Sequence, residues 1–255
     1  MADLYADFAE RYDLFFGSFS EHDPAVVEFF RRLLVEQGVR RVLDCACGTG
    51  RDLHLLHSLG LETVGTDLSA AMLEVARRNL ASASLHLPLH QLDYRDLPQR
   101  FGREFDAVVC LSTSIAHMPD EQNVLLAFRS MRSVLREDGL LVLSQGTSDR
   151  QWREKPRFML EADTPAFSRL FVIDYLGQRS ARYNILDIFR GDDGRDGGQS
   201  ELKVWSTDYQ CLLLRDDQER LLRDAGFRSV EFYGSYGLEP YDKETSRRLI
   251  AVARR

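Results

Sequence analysis

Asp44, Asp67 and Asp93 each close a stretch rich in apolar residues, and the first of them leads into an unusual turn. Residues 42–52 read VLDCACGTGRD: an apolar start, the carboxylate of Asp44, then Ala46, Gly48 and Gly50 at alternate positions. That is the pattern of a buried strand breaking into a tight turn and then a helix, where glycine admits positive φ and lets main chain come close to a ligand. Asp67, in VGTDLS, suits the hydroxyls of a ribose, because hydrogen bonds to a carboxylate are the stronger, charge-assisted kind. Asp93 with Tyr94, in LDYRD, adds an acceptor where an exocyclic adenine amine would lie. Each acid also has a plainer reading, Asp67 as the cap of a helix beginning near Ser69 and Asp93 as a loop acid. A nicotinamide dinucleotide fits less well. Its GxGxxG turn asks for a third glycine or alanine where Leu53 stands, and it does not require the acid at 93.

The other residue types with reactive chemistry point elsewhere. Cys45, Cys47, Cys110 and Cys211 include a CxC spacing with no second pair at zinc-site distance, which favours small buried packing residues over a metal or redox centre. His54 and His57 lie three apart on an expected helix, and His86 and His90 flank Leu87, Pro88 and Leu89. With no HExxH string, these histidines read as surface or half-buried and no metal is expected.

These residues need a scaffold that places strand ends side by side. Asp23 followed by Pro24 starts a helix expected to run through Phe29, Phe30, Leu33 and Leu34 to Gly38. Residues 40–46 form the first strand and 51–59 a helix closed by Gly60. Residues 62–67 form the second strand, and a helix over 69–80 carries Met72, Leu73 and Ala76 on one face. The third strand, within 85–92, contains Pro88 and belongs at an edge. The continuous apolar run 105–111 suits a strand covered on both faces, residues 120–136 show helical period, and 139–144 form a fifth strand.

Strands and helices alternating at this spacing predict an α/β fold with a doubly wound, mostly parallel sheet, whose ligands bind beyond the carboxyl ends of the strands. The chain reads as one domain over 1–255, with amino-terminal helices in 1–38 and an insertion over 145–214. Within that insertion 169–175, 182–189 and 201–214 read as strands, with the polar string 191–200 as a hairpin tip or disordered loop. The segment is expected to lie over the site as an antiparallel β lid. A helix from 216 and two closing strands follow.

The 255 residues are 44% hydrophobic, with a formal charge of −7. An acidic chain lacks the basic stripe that phosphate backbones demand, which disfavours nucleic acid. No apolar run is long enough for a membrane span, and the acidic, aromatic start MADLYADFAERYD is unlike a secretory signal, so no membrane association and a cytoplasmic location are expected.

Taken together, DCACGTG, VGTDLS, LDYRD and FDAVVCLSTSIAHMPD resemble the class I S-adenosylmethionine-dependent methyltransferases, strongly over residues 1–145. Residues 110–120 and the tyrosine-rich amino terminus resemble the glycine N-methyltransferase branch and related small-molecule N-methyltransferases. The resemblance implies a seven-stranded Rossmann-like methyltransferase fold with S-adenosylmethionine as cofactor. It also implies roles: Asp44, Ala46, Gly48 and Gly50 beside the methionine portion, Asp67 on the ribose, Leu68 and Met72 on adenine, Asp93 or the Tyr94 amide at the amine edge. The Leu111 carbonyl would accept from the methionine ammonium, and Tyr12, with Tyr5, would lie over the sulfonium.

Methyl transfer from a sulfonium is an in-line displacement in which alignment alone supplies up to about 7 to 11 kcal/mol, so no catalytic base is assigned. The acceptor is expected to be a small molecule, methylated at an amine nitrogen. The alternatives are an O-methyltransferase acting on a carboxylate or hydroxyl, an RNA methyltransferase, or a non-catalytic nucleotide-binding Rossmann-like protein. His117, Tyr175 and Tyr183 are candidates for enclosing the acceptor, since aromatic faces tolerate a methylammonium. The sequence departs from the glycine branch at two arginines: Gly146 stands where one follows the fifth strand, and His22 near where another precedes the first. Arg157 and Arg169 are the candidates to replace the substrate clamp from the lid.

Overall fold

The computed structural model describes residues 3–191 and 200–255. Helix α1 (Ala9–Tyr12) is one turn long, and α2 (Pro24–Phe30) starts where Asp23 accepts a hydrogen bond from the Ala25 N–H at 2.8 Å. A wide π turn over Arg31–Val35 extends α2 toward Gly38. There follow β1 (Arg41–Asp44), α3 (Arg51–Ser58), β2 (Glu62–Asp67), α4 (Ala70–Ser82), β3 (Leu89–Gln91), β4 (Phe105–Cys110), α5 (Glu121–Val134) and β5 (Leu135–Gln145). Helix α6 (Asp149–Glu154) leads into four strands, β6 (Phe158–Asp163), β7 (Phe167–Tyr175), β8 (Ala181–Phe189) and β9 (Glu201–Tyr209). Helix α7 (Arg215–Asp224), β10 (Ser229–Tyr233) and β11 (Leu249–Arg254) close the chain.

Seven strands form one sheet in the order β10-β11-β5-β4-β1-β2-β3, with β11 antiparallel to both its neighbours. The doubly wound sheet expected from the alternating pattern is therefore present, with its reversed last strand. Successive residues of β1 bury into opposite layers. Leu43 packs with Val108, Phe128 and Met131, and Val42 packs with Phe29, Phe30 and Leu55. Each such fully buried aliphatic side chain contributes roughly 1.5–3 kcal/mol. Strand β3 is short and at the edge, as Pro88 requires; the Pro88 carbonyl takes the Gly65 N–H at 2.9 Å. Gly65 itself is fixed by space: a Cβ there would lie 2.5 Å from the Leu53 side chain.

Two features differ from the sequence reading. Helix α5 ends at Val134, because Leu135 is extended and already pairs with Phe105 of β4. Helix α6 and strand β6 carry no clear apolar period, and the reading passed over both; β6 alternates between half-buried and exposed residues at an edge.

The second sheet, β6-β7-β8-β9, is an antiparallel meander inserted between β5 and α7. The string expected as a hairpin tip or disordered loop lies largely outside the described residues, at 192–199; β8 and β9 on either side of it pair antiparallel. After β9 the predicted strand stops short, because the Gln210 and Cys211 N–H groups both donate to the Ala116 carbonyl. All four cysteines are buried and free. Among the described residues, no helix is long and apolar enough to cross a membrane.

Candidate active site

The turn after β1 is held by carboxylates from two strands. Gly48 and Gly50 have φ of +50° and +85°, and a Cβ on Gly50 would meet Ala76 at 3.3 Å. The Gly48 N–H donates to Asp67 Oδ2 and the Ser69 N–H to Asp67 Oδ1, both at 2.8 Å. Asp67 is thus a turn organiser with lone pairs left on each oxygen, while the cap of α4 is Ser69, whose Oγ accepts from the Met72 N–H. Burial pushes the Asp67 carboxyl up, and the backbone N–H groups pull it back toward the ionised form.

Asp44 is 1% exposed and, among the described residues, accepts only the Ala46 N–H, at 3.2 Å. Burial and the charges of Asp52 and Asp67 raise its carboxyl well above the usual range. Asp52, in the first turn of α3, has no hydrogen-bond or ion-pair partner among the described residues, and burial pushes it up to about 6. The sequence reading missed Asp52; its signal was an acid two residues beyond Gly50. Burial disfavours the ionised form of both acids, and a cation bound beside them would favour it, so the pair suits a cationic ligand.

The end of β4 is strained. Ser112 and Thr113 have φ of 56° and 70°, a left-handed conformation that non-glycine residues adopt rarely. It lets Thr113 Oγ1 accept the Gly146 N–H at 3.0 Å and the Thr113 N–H reach the Ser144 carbonyl at 2.9 Å, which ties β4 to β5. Nothing in serine or threonine announces this geometry in the sequence.

The amino-terminal segment covers these strand ends. Asp3 accepts from Ser69 Oγ at 2.8 Å and from the Ala71 N–H at 3.1 Å, and Asp13 accepts from Thr49 Oγ1 and Asn79 Nδ2. Tyr12 and Tyr5 pack with Met72. From there a chain of rings crosses the site: Tyr12 to Tyr5, Tyr5 to His117, His117 to Tyr209 at 4.8 Å and Tyr209 to Tyr183 at 4.9 Å. The Tyr5 hydroxyl lies 2.8 Å from His117 Nε2, and burial lowers the imidazole to about 4, so the ring is neutral at pH 7. The Tyr183 hydroxyl meets Thr147 Oγ1 and Gln151 Nε2, both at 3.0 Å, and Tyr175 donates to the Pro156 carbonyl. Tyr5 and Tyr209 join His117 here through contacts far along the chain.

Four expectations meet competing partners. Both oxygens of Asp93 are taken by Arg95, through its N–H and its guanidinium at 2.7–3.1 Å, which leaves the main chain near Tyr94 as the freer edge for an amine; the Tyr94 hydroxyl donates to the Ser114 carbonyl. The Leu111 carbonyl already accepts the Ser114 N–H and Oγ–H within its own turn. Leu68 is 64% exposed, whereas Met72 is buried. The proposed arginine clamp is spent elsewhere. Arg169, 2% exposed, forms a two-point pair with Asp187 at 2.6 and 2.9 Å, and Arg157, 67% exposed, pairs with Asp174 on the same sheet.

Known proteins resemble this chain in sequence and in fold. Residues 42–139 match the model of a methyltransferase domain. A glycine/sarcosine N-methyltransferase of Parasynechococcus marenigrum is 37% identical, over 90% of this chain and 77% of that protein. An S-adenosylmethionine-dependent methyltransferase from Clostridium acetobutylicum superposes with a TM-score of 0.75 over 98% of both chains, at 19% identity. A sugar N-methyltransferase from Streptoalloteichus has a TM-score of 0.67 at 28% identity, over 96% of this chain and 92% of that one. The chain belongs to the class I S-adenosylmethionine-dependent methyltransferases, within the branch of the glycine N-methyltransferases. It is an S-adenosylmethionine-dependent methyltransferase of small molecules.

Proposed function

We propose that the enzyme methylates a small-molecule amine at nitrogen. The observation that carries this reading is the ring chain from Tyr12 through Tyr5, His117 and Tyr209 to Tyr183, crossing the carboxyl ends of β4 and β5 around a neutral imidazole. Such walls favour a neutral amine over an ammonium by desolvation, and their faces then accept the methylammonium product through cation–π attraction. The names of the relatives, glycine/sarcosine and sugar N-methyltransferases, support the same class.

The cradle fits S-adenosylmethionine. The glycine turn takes the methionine end, the free lone pairs of Asp67 accept ribose hydroxyls, and Asp44 and Asp52 offset the positive charge. When bound, the cofactor supplies an already activated methyl group on sulfur. The chain's part is alignment. Thr113 and Ser144 hold the ends of β4 and β5 together, Tyr5 holds His117, and the amino-terminal segment excludes water.

The test is a labelled-methyl assay against pooled amines, carboxylic acids and RNA, preceded by thermal shift. S-adenosylmethionine and S-adenosylhomocysteine raise the melting temperature and NAD does not. Label is expected in amines; label recovered only in esters, ethers or RNA overturns the nitrogen assignment.

A further inference from the structure

The outer face of the second sheet is apolar from edge to edge. In an antiparallel sheet directly opposed residues share a face, and the register places Leu160, Leu170, Leu186 and Val204 in one row that crosses all four strands. Phe158 and Val172 flank this row on one side, Ile188 and Leu202 on the other. Phe158 and Leu160 are 64% exposed, Leu202 59% and Val204 55%. The alternate residues of these strands turn the other way, where Ile173, Tyr183 and Asp187 are buried. Single exposed apolar residues are ordinary, but a continuous patch of this kind marks a surface that something covers.

Two properties of the face say what covers it. Its borders carry three arginine–aspartate pairs, Arg157 with Asp174, Arg182 with Asp208 and Arg190 with Asp163. The chain as a whole has a formal charge of −7, yet this rim is balanced. A face that meets its own copy across a two-fold axis repels itself if it carries net charge, whereas a face built for nucleic acid or an anionic membrane is basic. Size agrees. Strands about 4.8 Å apart, rising about 3.3 Å per residue and mostly nine residues long, give the four-stranded sheet a projected face of roughly 500 Å². Two such faces reach about 1,000 Å², where specific interfaces begin, before the relief of the side chains is counted.

We infer that two copies of this chain pack these faces together as an isologous homodimer, sheet on sheet, with the row from Leu160 to Val204 at its centre. An apolar centre inside a polar rim is the anatomy of such interfaces. Stacked sheets lie about 10 Å apart, close enough for leucine and phenylalanine side chains of the two copies to interdigitate. The other face of the same strands carries Tyr183 and the Asp187 cluster, so the second copy braces the acceptor side from outside. The association does not depend on which acceptor is methylated.

The experiment is sedimentation velocity of the full chain across the micromolar range, where a dimer is expected. Leu160→Glu combined with Val204→Glu sets like charges where the copies meet and is expected to raise the dimer dissociation constant about a hundredfold or more. Both positions are already exposed, so the single chain tolerates the charges and S-adenosylhomocysteine still raises its melting temperature. Leu160→Lys combined with Val204→Lys is expected to dissociate the dimer equally. Mixing the acidic and basic double variants is expected to restore a dimer, because opposite charges then oppose one another whichever way the copies are turned. A wild-type chain that stays monomeric at high micromolar concentration overturns the interface, whether or not it binds phosphatidylserine vesicles or another protein. A dimer that neither double variant weakens overturns it too, since the copies then meet elsewhere.

Discussion

The two sheets hide their interiors from water in different ways. The seven-stranded sheet does so with aliphatic residues: Leu43, Val108, Val109, Leu141 and Val142 are all fully buried. The second sheet buries charge. Asp187 accepts from Arg169 within the sheet and from Arg11 of the amino-terminal segment, and Arg169 also donates to the Arg11 carbonyl at 2.9 Å. Phe8 fits against this cluster, stacked 4.4 Å from Trp205 with both guanidinium groups 5.1–5.2 Å from its ring centroid. An inner face that carries an ion cluster needs the partner that completes it, because a buried charge left unpaired is costly. The amino-terminal segment is that partner, and it also bonds to Ser69, Thr49 and Asn79 on the cofactor side. One short stretch of chain thus bridges the donor half and the acceptor half.

The sharpest way to break this contrast is Asp187→Ala. It leaves two guanidinium groups buried without their carboxylate, and a loss of about 3–5 kcal/mol is expected in urea denaturation. A loss no larger than that of an exposed ion pair would mean that the second sheet does not depend on the cluster. Next in size is Asp67→Ala on the cofactor side, which removes the acceptor for two backbone N–H groups and for the ribose. Donor affinity measured by calorimetry is expected to fall about tenfold or more. An unchanged affinity would remove the ribose assignment.

The smallest effect concerns pH. Asp52 titrates in the folded protein at about 6, above its ordinary value, so between roughly pH 4 and 6 the folded chain holds more protons than the unfolded one. By sign, this residue's contribution to stability increases as pH falls through 6. His117, at about 4, acts in the opposite sense and costs stability as pH falls from about 6.5 toward 4. Donor binding separates the two, because a cationic ligand prefers ionised Asp52. Affinity for S-adenosylmethionine is expected to drop up to about tenfold from pH 7 to 5, and Asp52→Asn should flatten that slope.

Legibility along the sequence followed the range of the interaction. The glycine turn, the edge position of β3 and the acid ending β2 were readable because each depends on a few neighbouring residues: a positive φ, a missing N–H, an apolar run with a carboxylate at its end. Asp93 and Arg169 had the right residue types for ligand binding, but their partners Arg95 and Asp187 take up that capacity. Strand β6 was missed because an edge strand with one half-buried face shows little apolar period.

By its own pattern the sequence determined the layered α/β scaffold, the turn after Asp44 and the acid at 67, since apolar period and backbone stereochemistry act within a few residues. Only the tertiary structure decided which charges and rings are free to meet a ligand. Tyr5 and His117 are 112 residues apart, Arg11 and Asp187 are 176 apart, and no spacing rule reaches that far. Pairing between distant side chains sets desolvation and hydrogen-bond satisfaction, and those exist only once the chain has folded.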